Sequence, residues 1–206
     1  MKERPIIFST PMVQALQDGR KTQSRRLVKG TALEWLAPDM FTPEFVADQA
    51  NQLCSYGQPG DLLWVRETHY LHVDYLNGHN DEYLQPGENC YYQAEHDWSQ
   101  LGFIKAWYKK RPSIFMPKAA ARVWLRITDI RVERLLDISG EDAEKEGIEK
   151  LENGFWKCYD PDINDGEGSC PMASISFVTL WASIHGPQAY NENPWVWVLE
   201  FEKIDR

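Results

Sequence analysis

The chain has 206 residues, a length that suits one domain with elaborations. Its content of 43% apolar and 13% aromatic residues excludes wholesale disorder. The net charge of −9 excludes the broad basic face of a protein that coats long nucleic acid, and no apolar run approaches the roughly 20 residues a membrane span needs. The balance is uneven: seven Lys and Arg against two acids give residues 1–30 a charge of +5, which leaves −14 on the rest. A small anionic ligand, a nucleoside or a single extruded nucleotide suits that pattern. Cys54, Cys90, Cys158 and Cys170 form no CxxC pair, and with no signal peptide at the start they read as reduced thiols of a cytoplasmic protein. His69, His72 and His79 lie near one another in a polar stretch and read as surface residues, so no metal is expected.

In chain order, residues 5–8 read as a short strand. Thr10 then serves as an N-cap with Pro11 at the first helical position, Met12, Val13, Ala15 and Leu16 give the helix an apolar side, and Gly19 supplies its stop. Residues 19–26 pack one glycine, four cations and two hydroxyls into eight positions. Lys21 can transfer a proton or pair with an oxyanion once its pKa is lowered, and Ser24 can act as a nucleophile beside a base. Arg25 and Arg26 offer planar forks for phosphate or carboxylate. The same residues also read as a solvated turn after a helix. In a straight strand Lys21 and Ser24 point to opposite faces, so a shared site requires a bend near residues 22–23.

Residues 30–57 hold Trp35, Leu36, Pro38, Met40, Phe41, Pro43 and Phe45 in no clear period and read as irregular, with one short helix. A turn at 58–61 leads into a strand at 62–67. Trp64 and Arg66 share one of its faces, either to hold a planar ligand by stacking and forked hydrogen bonds or as a surface pair on an edge strand. Glu67, at its end, is grouped with them as substrate-binding. Residues 68–112 are polar, aromatic and Gly-interrupted, with a strand near 91–94 and a loop from 97 to 110 that carries Trp98, Trp107 and Tyr108. Strict alternation predicts a strand at 121–127, continuing over 129–136 past a bulge. Ser139 begins a capping box for a short acidic helix over 141–146, which Gly147 ends. Carboxylates near a helix C-terminus are disfavoured by the macrodipole, so Glu144 or Glu146 reads as kept for function, or else as part of a solvated acidic helix. Residues 149–172 read as a loop in which Asp160, Asp162 and Asp165 do not meet the calcium-loop pattern. A helix over 174–184 and a last strand over 194–203 follow. Several strands, few helices and a closing C-terminal strand point to an α+β fold: a small β-barrel with short helices packed at its ends.

Four landmarks occur in order: Gly19, Arg20, Lys21 and Thr22 with Ser24 and Arg26; the run from Gly60 to Val65; residues 138–147 with Glu146; and residues 197–201. In this set the chain resembles the ASCH superfamily, whose fold is PUA-like, and within it the longer members carried by phages and prophages. The resemblance implies a single domain over 1–206 with insertions at 30–57, 68–112 and 149–172. Some small ASCH proteins are amidohydrolases that deacylate N4-acetylcytidine with a Lys, a Thr and a Glu. Those positions fall on Lys21, on Ser24, which keeps the hydroxyl, and on Glu146. The resemblance thus implies a hydrolase that needs no cofactor and acts on a modified nucleobase, nucleoside or nucleotide. Lys21, Ser24 and Glu146 would be catalytic, and Arg25, Arg26, Trp64, Arg66 and Glu67 substrate-binding. Other relatives bind or cleave RNA, which leaves two further readings: a non-catalytic module for single-stranded nucleic acid, and a ribonuclease.

Overall fold

In the computed structural model the described residues are 1–37, 40–76, 86, 90–95, 107–160 and 168–206. Pro38, His79, Trp98, Asp162 and Asp165, named above, lie outside them. A first strand, β1 (Glu3–Ile7), leads into α1 (Thr10–Gln17). Ser9 rather than Thr10 is the N-cap, and Met12, Val13, Ala15 and Leu16 form the buried side. Gly19 takes a φ of +73°, open to glycine without strain, and turns the chain toward β2 (Gln23–Leu27). Two short helices, α2 (Thr31–Leu36) and α3 (Pro43–Ala47), occupy the stretch read as irregular. There follow β3 (Leu62–Arg66), β4 (His69–His72), α4 (Val73–Leu76), β5 (Cys90–Tyr92), β6 (Tyr108–Arg111) and β7 (Trp124–Arg134). The chain continues through α5 (Gly140–Lys145), β8 (Trp156–Lys157), β9 (Ser169–Cys170), α6 (Ala173–His185) and β10 (Trp195–Ile204).

The architecture is mixed α+β. Its main sheet has the order β1-β3-β7-β10-β2, with β1 parallel to β3 and the other pairs antiparallel. No pairing among the described residues joins β1 to β2, so the sheet is open, with those two strands at its edges, where the sequence led us to expect a closed barrel. β7 is one eleven-residue strand, and its register against β10 shifts so that Asp129 faces Glu200 while Ile127 faces Phe201. Thr128 is therefore the extra residue of the bulge expected there.

Both faces of the sheet are covered. Phe8, Leu63, Val65, Ile127, Trp197 and Leu199 pack with α1, α2 and α3 on one side. Val196, Val198, Leu135, Phe177 and Trp181 pack with α5 and α6 on the other. Every residue of β10 from Val196 to Leu199 is therefore buried, although its sequence alternates only weakly. A second, three-stranded sheet of order β5-β4-β6 has its own small core of Leu71, Cys90, Tyr92, Met116 and Ala120.

Candidate active site

The site is assembled where the turn after α1 meets the end of α5. The backbone N–H of Lys21 donates to Ala15 O (3.0 Å), and that of Thr22 donates to Lys145 O (2.9 Å), while Thr22 O accepts from Phe201 N (2.9 Å). Lys21 and Glu146 consequently sit opposite each other as an isolated antiparallel bridge. The pairing partner changes at Thr22, from Glu146 before it to β10 after it, at the place where the sequence required a bend.

Glu146 is the C-cap residue of α5, and Gly147 follows with a φ of +84°. A Cβ on Gly147 would lie 2.8 Å from Lys21 Cβ and 3.0 Å from Ala15 Cβ, so only glycine lets the two segments approach this closely. Lys21 Nζ donates to Glu146 O (2.7 Å) and to Glu146 Oε2 (2.9 Å). Both residues are only 4% exposed. Burial pulls the Lys21 ammonium below its usual range, against the opposing pull of the Glu146 carboxylate. The ring of Phe8 lies 5.5 Å from Lys21 Nζ and 4.9 Å from the guanidinium of Arg26, and so forms one wall shared by both cations.

Strand alternation divides β2 between two environments. Ser24 and Arg26 belong to the Phe8 side. Ser24 is buried, and its hydroxyl forms no hydrogen bond to Lys21 or Glu146. Arg26 donates to Ile7 O (2.8 Å), and its buried Nε has no hydrogen-bond partner. Arg25 points the other way into a closed polar cluster. Its guanidinium meets Gln23 Oε1 (2.5 Å), Glu133 Oε2 (3.0 Å), Asp142 Oδ2 (3.3 Å) and Glu146 Oε1 (3.4 Å). The two oxygens of Glu146 are thus held by two cations, Lys21 from one side and Arg25 from the other, which fixes the carboxylate in place. Arg131 closes the cluster by pairing with Asp142 and Glu200. Burial would raise the Asp142 carboxyl, but a hydrogen bond from Gln23 and the charges of Arg131 and Arg25 outweigh it and hold that carboxyl below its usual range. This positioning cluster of Gln23, Glu133, Asp142 and Arg131 was not legible in the sequence. The available signal was the alternation that sets Arg25 apart from Ser24 and Arg26.

Trp64, Arg66 and Glu67 form no hydrogen bond to Lys21 or Glu146. Trp64 and Arg66 share a face as expected, with the guanidinium 5.4 Å from the ring. Arg66 donates through Nε to Met116 O (3.1 Å) and through Nη2 to Ile114 O. Glu67 is buried and accepts a fork from Arg122 at 2.8 and 3.0 Å, and burial pushes its carboxyl up in spite of that partner. His69, which read as a surface residue, is fully buried on β4 with Nδ1 3.2 Å from Glu67 O. Only His72 of the pair is partly exposed, and its ring stacks on Trp107. No helix among the described residues is long and apolar enough to cross a membrane.

No family model and no curated protein matches the chain. Among solved structures the chain is similar to an ASCH domain from Lactobacillus crispatus JV V101. The identity is 11% over 100% of this chain and 81% of that chain, with a TM-score of 0.39. A likeness of that size leaves the site to be argued from its own residues.

Proposed function

We propose that the chain is a hydrolase that removes an acyl group from a modified nucleobase, nucleoside or nucleotide, of the type of N4-acylated cytosine. We read its open sheet as the core of a PUA-like fold of the ASCH type, on the order of its motifs. The observation that carries the activity is the enclosed pair of Lys21 and Glu146, with Nζ 2.9 Å from Oε2 beside the Phe8 ring. A desolvated amine next to a fixed carboxylate can accept and return a proton without reorganising its surroundings. In the reaction a water oxygen, or Ser24 Oγ, attacks the acyl carbon. The proton it releases passes to the Lys21–Glu146 pair as the tetrahedral oxyanion forms. The C–N bond then breaks, and the same proton is delivered to the departing base amine. Attack by Ser24 adds an acyl-enzyme, which water hydrolyses. Arg26, with one unpartnered N–H on the Phe8 side, faces the substrate base or phosphate.

One observation favours the alternative of a binding module without chemistry: Lys21 also donates to the main chain of Glu146, as a purely structural clasp would. Hydrolysis of N4-acylated cytosine, its nucleoside and short oligonucleotides carrying it separates the two. Wild-type turnover that falls at least ~100-fold in Lys21→Ala and in Glu146→Ala establishes the hydrolase. A folded wild-type protein that hydrolyses none of them leaves the binding module.

A further inference from the structure

Residues 107–118 contain Lys109, Lys110, Arg111 and Lys118 and no acidic residue, in a chain whose net charge is −9. Lys118 is paired with Glu3. Lys109 and Lys110 are exposed on β6, an edge strand, and form no ion pair among the described residues. Large apolar side chains stand exposed beside them: Trp107 (54%), Ile114 (58%) and Phe115 (61%). The guanidinium of Arg111 lies 5.4 Å from the Phe115 ring, and its buried Nε has no partner. Across the ladder from Arg111 is His69, whose buried Nε2 is also unpartnered.

Hydrogen bonds to the main chain tie this patch to the candidate active site. Arg66 binds the carbonyls of Ile114 and Met116, its own carbonyl accepts from Phe8 N (3.2 Å), and the Phe8 ring carries Arg26 and Lys21. Cations and exposed rings therefore lie together on residues 107–115, and Arg66 ties that surface through the main chain to Phe8 and so to Arg26 and Lys21. Positive charge beside open ring faces is the chemistry that holds single-stranded nucleic acid, phosphates on the cations and bases stacked on the rings. The overall negative charge opposes coating of a long polymer and leaves a small patch of this kind intact.

Resting on the reading of Lys21 as the reacting centre, we infer that the substrate is a modified base within a single strand, gripped by the surface of residues 107–115 while the base enters beside Phe8. The test is fluorescence anisotropy with unmodified, fluorescein-labelled RNA and DNA 12-mers, on wild type, Lys109→Glu/Lys110→Glu and Phe115→Ala. All three side chains are exposed, and melting curves check the fold. We expect the double variant to bind at least ~10-fold more weakly, with a log–log salt slope shallower by about 1.4, two phosphate contacts at ~0.7 each. Phe115→Ala should lose about 5- to 150-fold, the worth of one stacked base. Comparing the two 12-mers tells which sugar is preferred. Variants that bind as tightly as wild type overturn the proposal, as does wild type that binds poly-glutamate as tightly as the oligomers. Because the strands are unmodified, the assay does not depend on hydrolysis. Weakened binding in the variants, with a wild type that deacylates nothing, upholds the strand surface and removes the hydrolase.

Discussion

At the scale of single residues, Glu146 is the side chain on which the most depends. It neutralises Lys21 and also gives Arg25 one of its partners, and all three side chains are enclosed. Removing one member of a buried ion pair leaves the other charged and desolvated, at a cost of roughly 3–5 kcal/mol. Glu146→Ala should lower the unfolding free energy by about that amount in a denaturant titration. Lys21→Met/Glu146→Gln removes the charge at both ends, and should recover most of the loss while remaining inactive. A double variant as unstable as the single one would show that the pair is not the source of the loss. The pH dependence has a definite sign. Lys21 is depressed by burial, so the fold carries a cost while the amine is charged. That cost is present below the folded pKa and is relieved as pH rises through it toward the unfolded value of about 10.4. Wild type should therefore gain stability relative to Lys21→Met on the alkaline side.

At the scale of elements, the site depends on how α5 ends. Ser139 Oγ accepts from Asp142 N (3.0 Å) at its start, and Gly147 turns the chain at its finish. Gly147→Ala meets Lys21 Cβ at 2.8 Å and must also hold a φ of +84°. Strain of that kind costs on the order of 1–3 kcal/mol and pushes the Glu146 turn away from Lys21. We expect Gly147→Ala to lose both stability and turnover, whereas Ser139→Ala should lose only about 1 kcal/mol of stability and keep its turnover. Comparing the two variants by thermal melts and by kcat separates a weakened helix from a displaced carboxylate. Equal kcat values in the two would argue against the close approach as the reason for glycine.

At the scale of the whole molecule, one polar cluster ties the layers together. Asp142 of α5, Arg25 of β2, Arg131 and Glu133 of β7 and Glu200 of β10 meet between the sheet and the helices. The Asp142 carboxyl is held below its ordinary range, so its contribution is fully present above the unfolded value of about 3.9 and is lost as pH falls through the folded value. Asp142→Asn should be less stable than wild type at neutral pH, and the gap should close in acid. A gap that does not narrow as pH falls below about 4 would assign the loss to packing.

The amino-acid sequence by itself determined what rests on local pattern. Period and capping placed α1, α5, α6, β3, β7 with its bulge, and β10, because each is long enough or sharply enough bounded to show its period. The four-residue strands β4 and β6 and the two-residue β8 and β9 were not legible, since so few residues hold no period and are fixed only by the neighbours they pair with. The basic stretch and the odd position of acids at a helix end also drew attention to Lys21 and to Glu144 or Glu146, and the resemblance to the ASCH superfamily chose Glu146. Only the tertiary structure decided that Lys21 and Glu146 meet, 125 residues apart in the chain, and which partners Arg25 and Arg26 find on their two faces. It likewise decided that the sheet stays open at β1 and β2. The physical reason is the same in each case: periodicity fixes the direction of a side chain relative to its own backbone, whereas strand order, edge closure and the partners of a buried charge depend on contacts between distant segments.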